Sequence, residues 1–389
     1  MKKVLVLGGG FAGIDTAIFL RKEKYEVTLV SDRDYFYIYP TSIWVPTGKV
    51  RFEDICIDLK ELQQAHGFEL IIDGVSKIEA KAKNITLESG KTLKDYDTLV
   101  IAMGADKLKP KGVEHTLSIC GKPELSLEIK EGLDSLIAKG SGSIAFGFGG
   151  NPKDPSAVRG GPGFELLFNV ESMLRKKGIR DNFDLHMFAP MPKPGARLGK
   201  KSYEMINKMF KKFNISKHFG TKIKGFEVNT VVFEDDTRLE SDLIMFIPAG
   251  DGHEVIKNSD LPLNEAGFVK INDYCEVDGF EDVYAIGDSA ALEGPDWKAK
   301  QGHLAELMAK NTAFNIIAKD KGLHERKGYV EHINIICIMD SGEGAGFAFR
   351  DDNKSFLIPM PIFGHWVKKA WGKYCRLSKL GKIPRIPGL

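Results

Sequence analysis

The chain has few cysteines for its length, and their spacing does not suit a structural metal site. Five cysteines are scattered through 389 residues, an odd number with no CxxC motif and no paired Cys/His spacing. This pattern excludes a disulfide-rich scaffold, and we predict no metal site. The five are Cys56, Cys120, Cys275, Cys337 and Cys375.

Long hydrophobic runs are also missing. No segment approaches the roughly 18–20 apolar residues that a membrane-spanning helix needs. The opening MKKVLVL has an apolar run that is far shorter than the core of a signal peptide, and glycines follow at once. The sequence therefore predicts a protein that has no cleavable signal peptide and does not span a membrane.

A strong overall charge is absent, but the charge is unevenly distributed. The formal net charge is only +2, which indicates neither a nucleic acid nor an acidic partner. No Asp or Glu follows Asp352, whereas eight lysines and arginines do. This basic, acid-free tail indicates an anionic surface as a partner for the C-terminal region.

The first 32 residues carry a strong nucleotide-binding pattern. The apolar run at residues 4–7 is typical of a buried parallel strand, and an amphipathic helix and a second strand follow it. Between strand and helix, Gly8, Gly10 and Gly13 match G-x-G-x-x-G, a turn that places a pyrophosphate at the helix N-terminus. Ser31 and Asp32 then end the second strand, where an acid binds a ribose. Together these features predict a dinucleotide site.

Two later segments indicate which dinucleotide is bound. YDTLVIAMGAD (96–106) and FEDVYAIGDSAAL (280–292) each read as a buried strand that ends in glycine. They resemble the other two signatures of FAD-binding, disulfide-reductase-type flavoproteins. The resemblance assigns Ala102, Gly104, Gly287 and Asp288 to FAD, with Asp288 near the ribityl–pyrophosphate region.

These positions predict an α/β fold with two Rossmann-like domains and a C-terminal membrane-associating region. The FAD-binding domain comprises residues 1–105 and 268–325, and a second Rossmann-like domain, 106–267, is inserted between its parts. The last region is 326–389. In the insert, the glycine-rich loop before a helix starting near Gly163 contains two prolines, which disfavours a nicotinamide nucleotide there without excluding it.

Over essentially its whole length the sequence resembles the sulfide:quinone oxidoreductases, which are related to flavocytochrome c sulfide dehydrogenase and type II NADH dehydrogenase. The most specific segments are YPTSIWVPTGK (39–49), SIC (118–120), GGPGFELLFNVESMLRKKGIRD (160–181), KQGHLAELMAKNTAFNI (300–316) and NIICIMDSGEGAGF (334–347). The resemblance implies that sulfide is oxidised at redox-active cysteines on one flavin face. FAD then reduces a quinone on the other face, and sulfur leaves as polysulfide or elemental sulfur.

The resemblance also implies roles for individual residues. Cys337 matches the cysteine nearest the flavin, and Cys120 matches a second one. Glu165 matches an acid near the quinone and flavin, and Lys300 a lysine that stabilises charge on the reduced flavin. The quinone contacts are assigned to the two apolar residues Ile336 and Phe347.

A third cysteine of the family pattern is replaced by Arg159. Cys337 therefore lacks its usual partner, and Cys120 is the alternative if the two lie within bridging distance, with Cα atoms about 7 Å apart or less. Otherwise Cys337 works alone, and Arg159 lowers a thiol pKa or holds the HS⁻ anion. Attachment of FAD through Cys120 stays open.

The tail segment PIFGHWVKKAWGKYCRLSKLGK repeats apolar residues at helical spacing and has basic residues on the remaining face. Such a helix is typical of one that lies in a membrane interface, which predicts a peripheral membrane protein. Packing of the helix on its own domain or on a second subunit is the alternative. A homo-oligomer and the membrane face stay open.

Two other functions are consistent with the sequence. A type II NADH:quinone oxidoreductase would share the fold, although Cys337 and the interrupted second loop disfavour it. A flavoprotein that has lost turnover is favoured by the altered cysteine position and by Glu124 and Arg197 at two positions where the family has histidines.

Overall fold

The computed structural model describes residues 2–385. The helices within this range are α1 Phe11–Lys22, α2 Leu59–His66, α3 Leu125–Lys139, α4 Gly161–Lys176, α5 Lys200–Lys212, α6 Glu254–Lys257, α7 Gly302–Asp320 and α8 Gly364–Lys379. Two parallel sheets and three antiparallel three-stranded sheets contain most of the strands within this range.

The first sheet contains strands from two distant parts of the chain. Its five parallel strands lie in the order Val283–Ala285, Thr98–Ile101, Lys3–Leu7, Glu26–Ser31 and Glu69–Ile72. The first of these strands follows the second parallel sheet in the chain, so the chain leaves the first sheet and returns to it. Strands buried on both faces explain the unbroken apolar runs in the sequence.

The second parallel sheet has four strands, in the order Ile215–Phe219, Phe183–Ala189, Gly142–Phe148 and Leu243–Ile247. Helix α4 packs on this sheet. It begins at Gly161, two residues earlier than the sequence predicts, because Pro162 suits the first turn of a helix. The predicted α/β fold with two Rossmann-like sheets is confirmed, and the domain boundaries at 105, 267 and 325 stay a prediction.

The shorter strands form smaller sheets. One antiparallel sheet has the three strands Val75–Glu79, Asn84–Leu87 and Thr92–Leu93. A second antiparallel sheet has the three strands Ile223–Glu227, Thr230–Phe233 and Arg238–Glu240. Three two-stranded pairs join Tyr35–Tyr37 to Cys56–Asp58, Asp106–Lys107 to Gly250–Asp251, and Val269–Lys270 to Ala290–Ala291.

The C-terminal region is an antiparallel sheet followed by helix α8. Its strands are Ile335–Asp340, Ala345–Arg350 and Ser355–Met360. Helix α8 packs against the first two strands, and α4 packs against the first. The strand that carries Cys337 therefore contacts both helices.

Helix α1 differs from its predicted amphipathic character. Most of its residues are buried, including the charged Asp15. Helix α7 packs along it, and two basic side chains of the C-terminal region cover Asp15. A helix enclosed on several sides has no polar face to show in its sequence.

Within residues 2–385, no helix combines the length and the apolar character needed to cross a bilayer.

Candidate active site

The glycine-rich turn has the shape that a dinucleotide requires. Gly8 has a φ of +112°, and a Cβ there would lie 2.2 Å from the Ala102 carbonyl oxygen. A Cβ on Gly13 would lie 1.9 Å from the Gly8 oxygen, so both positions need glycine. Gly10 instead faces open space, and α1 begins beside it with no side chain capping its N–H groups. This open, uncapped helix end fits the pyrophosphate of FAD.

The end of the second strand supplies a carboxylate to the same site. Ser31 is buried and donates a hydrogen bond to the Arg33 carbonyl oxygen, 2.7 Å away. Asp32 is exposed, and its carboxylate lies 3.6 Å from the Arg33 guanidinium. The exposed carboxylate is free to accept hydrogen bonds from ribose hydroxyls, so this part of the site also fits FAD.

Asp288 lies at the end of the strand that closes the first sheet. It follows Gly287, whose φ is +63°, and its carboxylate forms an ion pair with Arg159. Ser289, next in the chain, donates a hydrogen bond to the Gly104 oxygen. The structure thus brings together the two later FAD segments and Arg159, which comes from the second glycine-rich loop.

The second glycine-rich loop lies on the side of the molecule that carries the first sheet. Asp154 caps a short 3-10 turn at Pro155–Ala157, and its second carboxylate oxygen accepts a hydrogen bond from Asn264. The Ser156 carbonyl oxygen accepts the backbone N–H of Lys300 at 3.0 Å. These bonds explain why the loop does not form a compact nucleotide-binding turn.

Lys300 is a buried lysine beside Asp288. Its ammonium group donates to the backbone oxygens of Asp288 and Ala290 and lies 3.9 Å from the centre of the Phe268 ring. Burial lowers the pKa of Lys300 to about 7, although Asp154 opposes this effect. A lysine with such a pKa can be charged or neutral near pH 7.

Cys337 is half-buried on the first strand of the C-terminal sheet. Burial and the nearby carboxylate of Glu165 raise the pKa of the Cys337 thiol to about 12, while Lys368 acts in the opposite direction. The sulfur is therefore a protonated thiol at neutral pH. Lys368 is the cation that acts on the Cys337 thiol, and the predicted role of Arg159 toward a thiol or the HS⁻ anion stays a prediction.

Glu165 and Lys368 form a buried ion pair beside this thiol. Glu165 belongs to α4 and Lys368 to α8, and each side chain is less than a tenth exposed. Burial raises the pKa of Glu165, an effect that Lys368 opposes. The Asp340 backbone N–H also donates to Glu165, at 3.0 Å. The pair combines an acid and a base next to the candidate sulfur site.

The two sides of the Cys337 strand differ. Side chains alternate along a strand, and residues paired across an antiparallel sheet share a face. Cys337 pairs with Ala348, whereas Ile338 pairs with Phe347. Ile336 and Phe347 therefore share the face opposite Cys337, the arrangement expected if sulfur and quinone bind on different sides.

Cys120 has different surroundings. It is buried in a turn closed by hydrogen bonds with Ser118, and the Tyr39 hydroxyl donates to the next carbonyl oxygen, that of Gly121. Its charge interactions include Lys107, whose pKa burial lowers to about 8. Cys120 and Cys337 are both free thiols, so the redox pair stays a prediction.

Two residues of this site were missed by sequence reasoning. The sequence pattern places Lys368 on the basic face of the tail helix or at its edge, and it gives no role to Asp340. The only sequence feature that indicated burial of Lys368 is its position directly beside an apolar position of the helical pattern. The signal for Asp340 was an acid directly after an apolar strand.

Comparison with known proteins shows the family to which this chain belongs. Residues 2–309 match the family model "Pyridine nucleotide-disulphide oxidoreductase", and the chain belongs to this family. The chain is 29% identical to the sulfide-quinone reductase of Aquifex aeolicus, over 96% of this chain and 90% of that protein.

The chain is also similar to a solved structure and to a second group of relatives. The crystal structure of the Aquifex aeolicus sulfide:quinone oxidoreductase superposes with a TM-score of 0.88 at 27% identity, covering 98% of this chain and 92% of the other. The type II NADH:quinone oxidoreductase of Staphylococcus epidermidis is 24% identical over 90% of each chain. The predicted FAD-dependent oxidoreductase of the sulfide:quinone oxidoreductase type is confirmed.

Proposed function

We propose that this protein oxidises sulfide, or a related reduced sulfur species, and transfers the electrons through FAD to a quinone at a membrane surface. The observation that carries the proposal is the position of Cys337. Its strand places the thiol beside the buried Glu165–Lys368 pair and places Ile336 and Phe347 on the other face. The relatives named for sulfide and quinone support the same substrates.

The overall reaction is HS⁻ + quinone + H⁺ → S⁰ + quinol, in which sulfide loses two electrons and one proton is taken up. When bound, FAD supplies the two-electron acceptor that connects the two half-reactions. The glycine turn of Gly8, Gly10 and Gly13 would hold its pyrophosphate, Asp32 its ribose and Asp288 its ribityl region, and Lys300 would supply positive charge.

Cys337 carries the sulfur as a persulfide, formed as Cys–S⁻ + HS⁻ → Cys–S–S⁻ + H⁺ + 2e⁻, and the two electrons released would go to the oxidised cofactor when it is bound. Because its thiol is protonated, a base must first remove the proton from Sγ, and Glu165 suits this role since burial raises its pKa above the usual value. Lys368 balances the carboxylate charge. Arg159, held by Asp288, is the proposed cation for the incoming HS⁻ anion.

A buried donor supports the quinone half of the proposal. The indole nitrogen of Trp44 is buried and has no hydrogen-bond acceptor in the part of the chain that the structure describes. Its ring lies 6.0 Å from the Lys368 ammonium. A quinone carbonyl oxygen would satisfy this N–H, and a buried donor normally has such a partner.

The membrane surface is the proposed docking site of the C-terminal region. Ile362, Phe363 and Trp366 are 69%, 70% and 64% exposed, and Val367 and Ile358 extend the same apolar surface. Exposed lysines, Lys369 and Lys373, accompany it. Apolar side chains flanked by lysines suit an interface with anionic lipid.

Anaerobic titration of the flavin with sulfide tests the proposal. Sulfide should bleach the flavin of the wild-type enzyme, and adding a quinone should restore the colour. Cys337→Ser should not be bleached, whereas the control Cys56→Ser should behave as the wild type. Bleaching by NADH and not by sulfide would assign the protein to NADH oxidation instead, and bleaching without quinone turnover would indicate an inactive flavoprotein.

A further inference from the structure

A groove opens on the surface next to the buried Glu165–Lys368 pair. Its volume is about 490 Å³, and its wall includes the imidazole of His365 and the exposed side chains of Ile362 and Trp366. Lys49 and Glu343 supply charge to the same wall. The groove is therefore wide enough to hold several water molecules against His365.

His365 is held in one orientation by a buried carboxylate. Its Nδ1 lies 2.9 Å from Oδ2 of Asp340, which is completely buried, while the imidazole keeps about a quarter of its surface exposed. Since a carboxylate only accepts, Nδ1 carries the proton and Nε2 is left to exchange protons with groove water. The Trp44 ring, 4.9 Å away, packs on the imidazole.

Asp340 connects this histidine to the buried pair. Its Oδ1 accepts hydrogen bonds from the Gly342 backbone at 2.8 Å and from Asn169 at 3.0 Å. Its own backbone N–H donates to Glu165. Burial favours protonation of Asp340, but the hydrogen bonds from His365, Gly342 and Asn169 prevail and hold its pKa below the usual value. Asp340 therefore stays an anion that orients the imidazole.

Helix α8 completes the link. His365 and Lys368 are three residues apart on this helix, so their side chains are neighbours on its surface. Lys368 in turn donates to Glu165. A proton that arrives at His365 is therefore about one helical turn from the buried acid–base pair, a separation that one water can bridge.

Resting on the proposed function, we propose that His365, oriented by Asp340, is the proton inlet for quinone reduction. A quinone takes up two electrons, which the reduced cofactor supplies, and two protons, which must reach a buried site. His365 takes a proton from groove water at Nε2 and passes it to the Glu165–Lys368 pair, which delivers it to the quinone oxygen. His365 itself returns to the neutral form at each turnover.

Several other charged groups surround the imidazole. Asp340 contacts it directly, Glu343, Lys49 and Lys176 line the same groove, and Glu165 and Lys368 form the buried pair. Lys49 is fixed by hydrogen bonds to Asn169 and the Gly342 oxygen, at 2.7 and 3.1 Å.

Reoxidation of the reduced flavin tests this inference separately from sulfide chemistry. The enzyme is photoreduced without sulfide and mixed with a short-chain quinone, and the return of flavin absorbance is followed between about pH 6 and pH 9. We expect His365→Gln, which keeps a polar side chain opposite Asp340, to reoxidise at least about tenfold more slowly and to lose the pH dependence of the wild type. Added imidazole should restore much of the rate of His365→Ala.

A matched control is His332→Gln, which alters an exposed histidine beside Glu331 outside the groove and should leave the rates unchanged. Bleaching by sulfide should also be unchanged in His365→Gln. A variant with the wild-type reoxidation rate and pH profile overturns the inference, as does a slow His365→Ala that imidazole does not rescue. A wild-type enzyme whose reduced flavin no quinone reoxidises refutes the proposed function, and the inference with it.

Discussion

Cys337 shows how far the chemistry of a residue depends on its surroundings. As a lone thiol after an apolar stretch it could be a nucleophile or a buried structural residue. Burial and Glu165 raise its pKa to about 12, so the resting sulfur is not a thiolate. Reactivity at neutral pH then requires a base, which makes Glu165 as important to the proposed chemistry as the sulfur itself.

The first prediction concerns alkylation of this thiol. The shift from about 9 to about 12 reduces the thiolate fraction roughly a thousandfold at pH 8. We expect iodoacetamide to label Cys337 about a thousandfold more slowly than glutathione at pH 8, and about tenfold faster for each added pH unit. Mass spectrometry of the labelled peptide measures the rate.

The unfolded protein is the control for alkylation, since all five cysteines should then react at the rate of a free thiol. If native Cys337 reacts at pH 8 as fast as glutathione does, its thiolate is stabilised and Glu165 is not needed as a base.

Lys300 and Arg159 show that tertiary contacts decide which group a basic side chain pairs with. Both cations lie beside Asp288, one donating to its backbone oxygen and one paired with its carboxylate. Sequence comparison related Arg159 to a missing cysteine, and therefore to sulfur. The structure instead places it beside Asp288, after the last strand of the first sheet, because its loop folds back onto that sheet.

Helix α8 is the element that departs most from its sequence pattern. The expected basic face is divided: Lys368 and Lys379 are buried and paired with carboxylates, while Lys369 and Lys373 are exposed. Arg376 donates to the Cys56 oxygen and is half-buried. The expectation that the basic residues lie on the outer face of the helix or at its edge is therefore wrong for Lys368 and Lys379. Buried carboxylates on α1, α4 and α7 attract two of the lysines inward.

The second prediction concerns the end of this helix. Lys379 is 1% exposed and contacts Asp15 at 2.7 Å and Glu306 at 2.9 Å, and Arg385 joins the same two carboxylates. Burial alone would lower the Lys379 pKa, but Asp15 and Glu306 raise it above its usual value. Lys379→Met should destabilise the protein by about 3 kcal/mol, because two buried carboxylates lose a partner. Thermal unfolding measures the loss.

Lys130→Met is the matched control for this prediction. It removes the exposed i,i+4 pair with Asp134, which should contribute less than about 0.5 kcal/mol. Equal unfolding temperatures for the two variants would show that the buried cluster does not fasten α8 to α1.

At the scale of the whole molecule, the C-terminal region meets the N-terminal helix α1. Residues of the C-terminal helix contact α1, which begins at the glycine turn, and the thiol strand contacts both α4 and α8. A surface bound to lipid through α8 would therefore lie close to both the sulfur and the quinone sites. This proximity suits a substrate that is dissolved in the bilayer.

The third prediction concerns attachment to membranes. Removing residues 362–389 would also remove Lys368 and Lys379 from their carboxylates, so point substitutions are the better test. Phe363→Ser combined with Trp366→Ser should weaken binding to anionic phospholipid vesicles at least about a hundredfold, since each large side chain contributes about 1.5–3 kcal/mol when buried. Vesicle sedimentation measures the bound fraction.

The control pair for membrane binding is Val228→Ser with Leu323→Ser, two exposed apolar residues, 70% and 51% exposed, in other parts of the chain. It should bind as the wild type does. Unchanged binding of the Phe363/Trp366 variant would remove the apolar surface of α8 from the proposed interface.

The class of the protein could be predicted from the sequence because its signals are local. Gly8, Gly10 and Gly13 act within one turn, and a parallel strand buried on both faces leaves a continuous apolar run that is visible without any partner. The resemblance at Cys337 and Glu165 likewise rests on short segments. Family, fold and cofactor were therefore accessible before the structure.

Other properties depended on residues far apart in the chain, and only the tertiary structure decided them. The Glu165–Lys368 pair joins residues 203 positions apart, and the Lys379–Asp15 pair joins residues 364 apart. Helical periodicity could not show that these lysines point inward, because the carboxylates that attract them lie on other elements. The protonation of Cys337 and the partner of Arg159 have the same cause. Burial and opposite charge act through space, whereas sequence patterns report only neighbours along the chain.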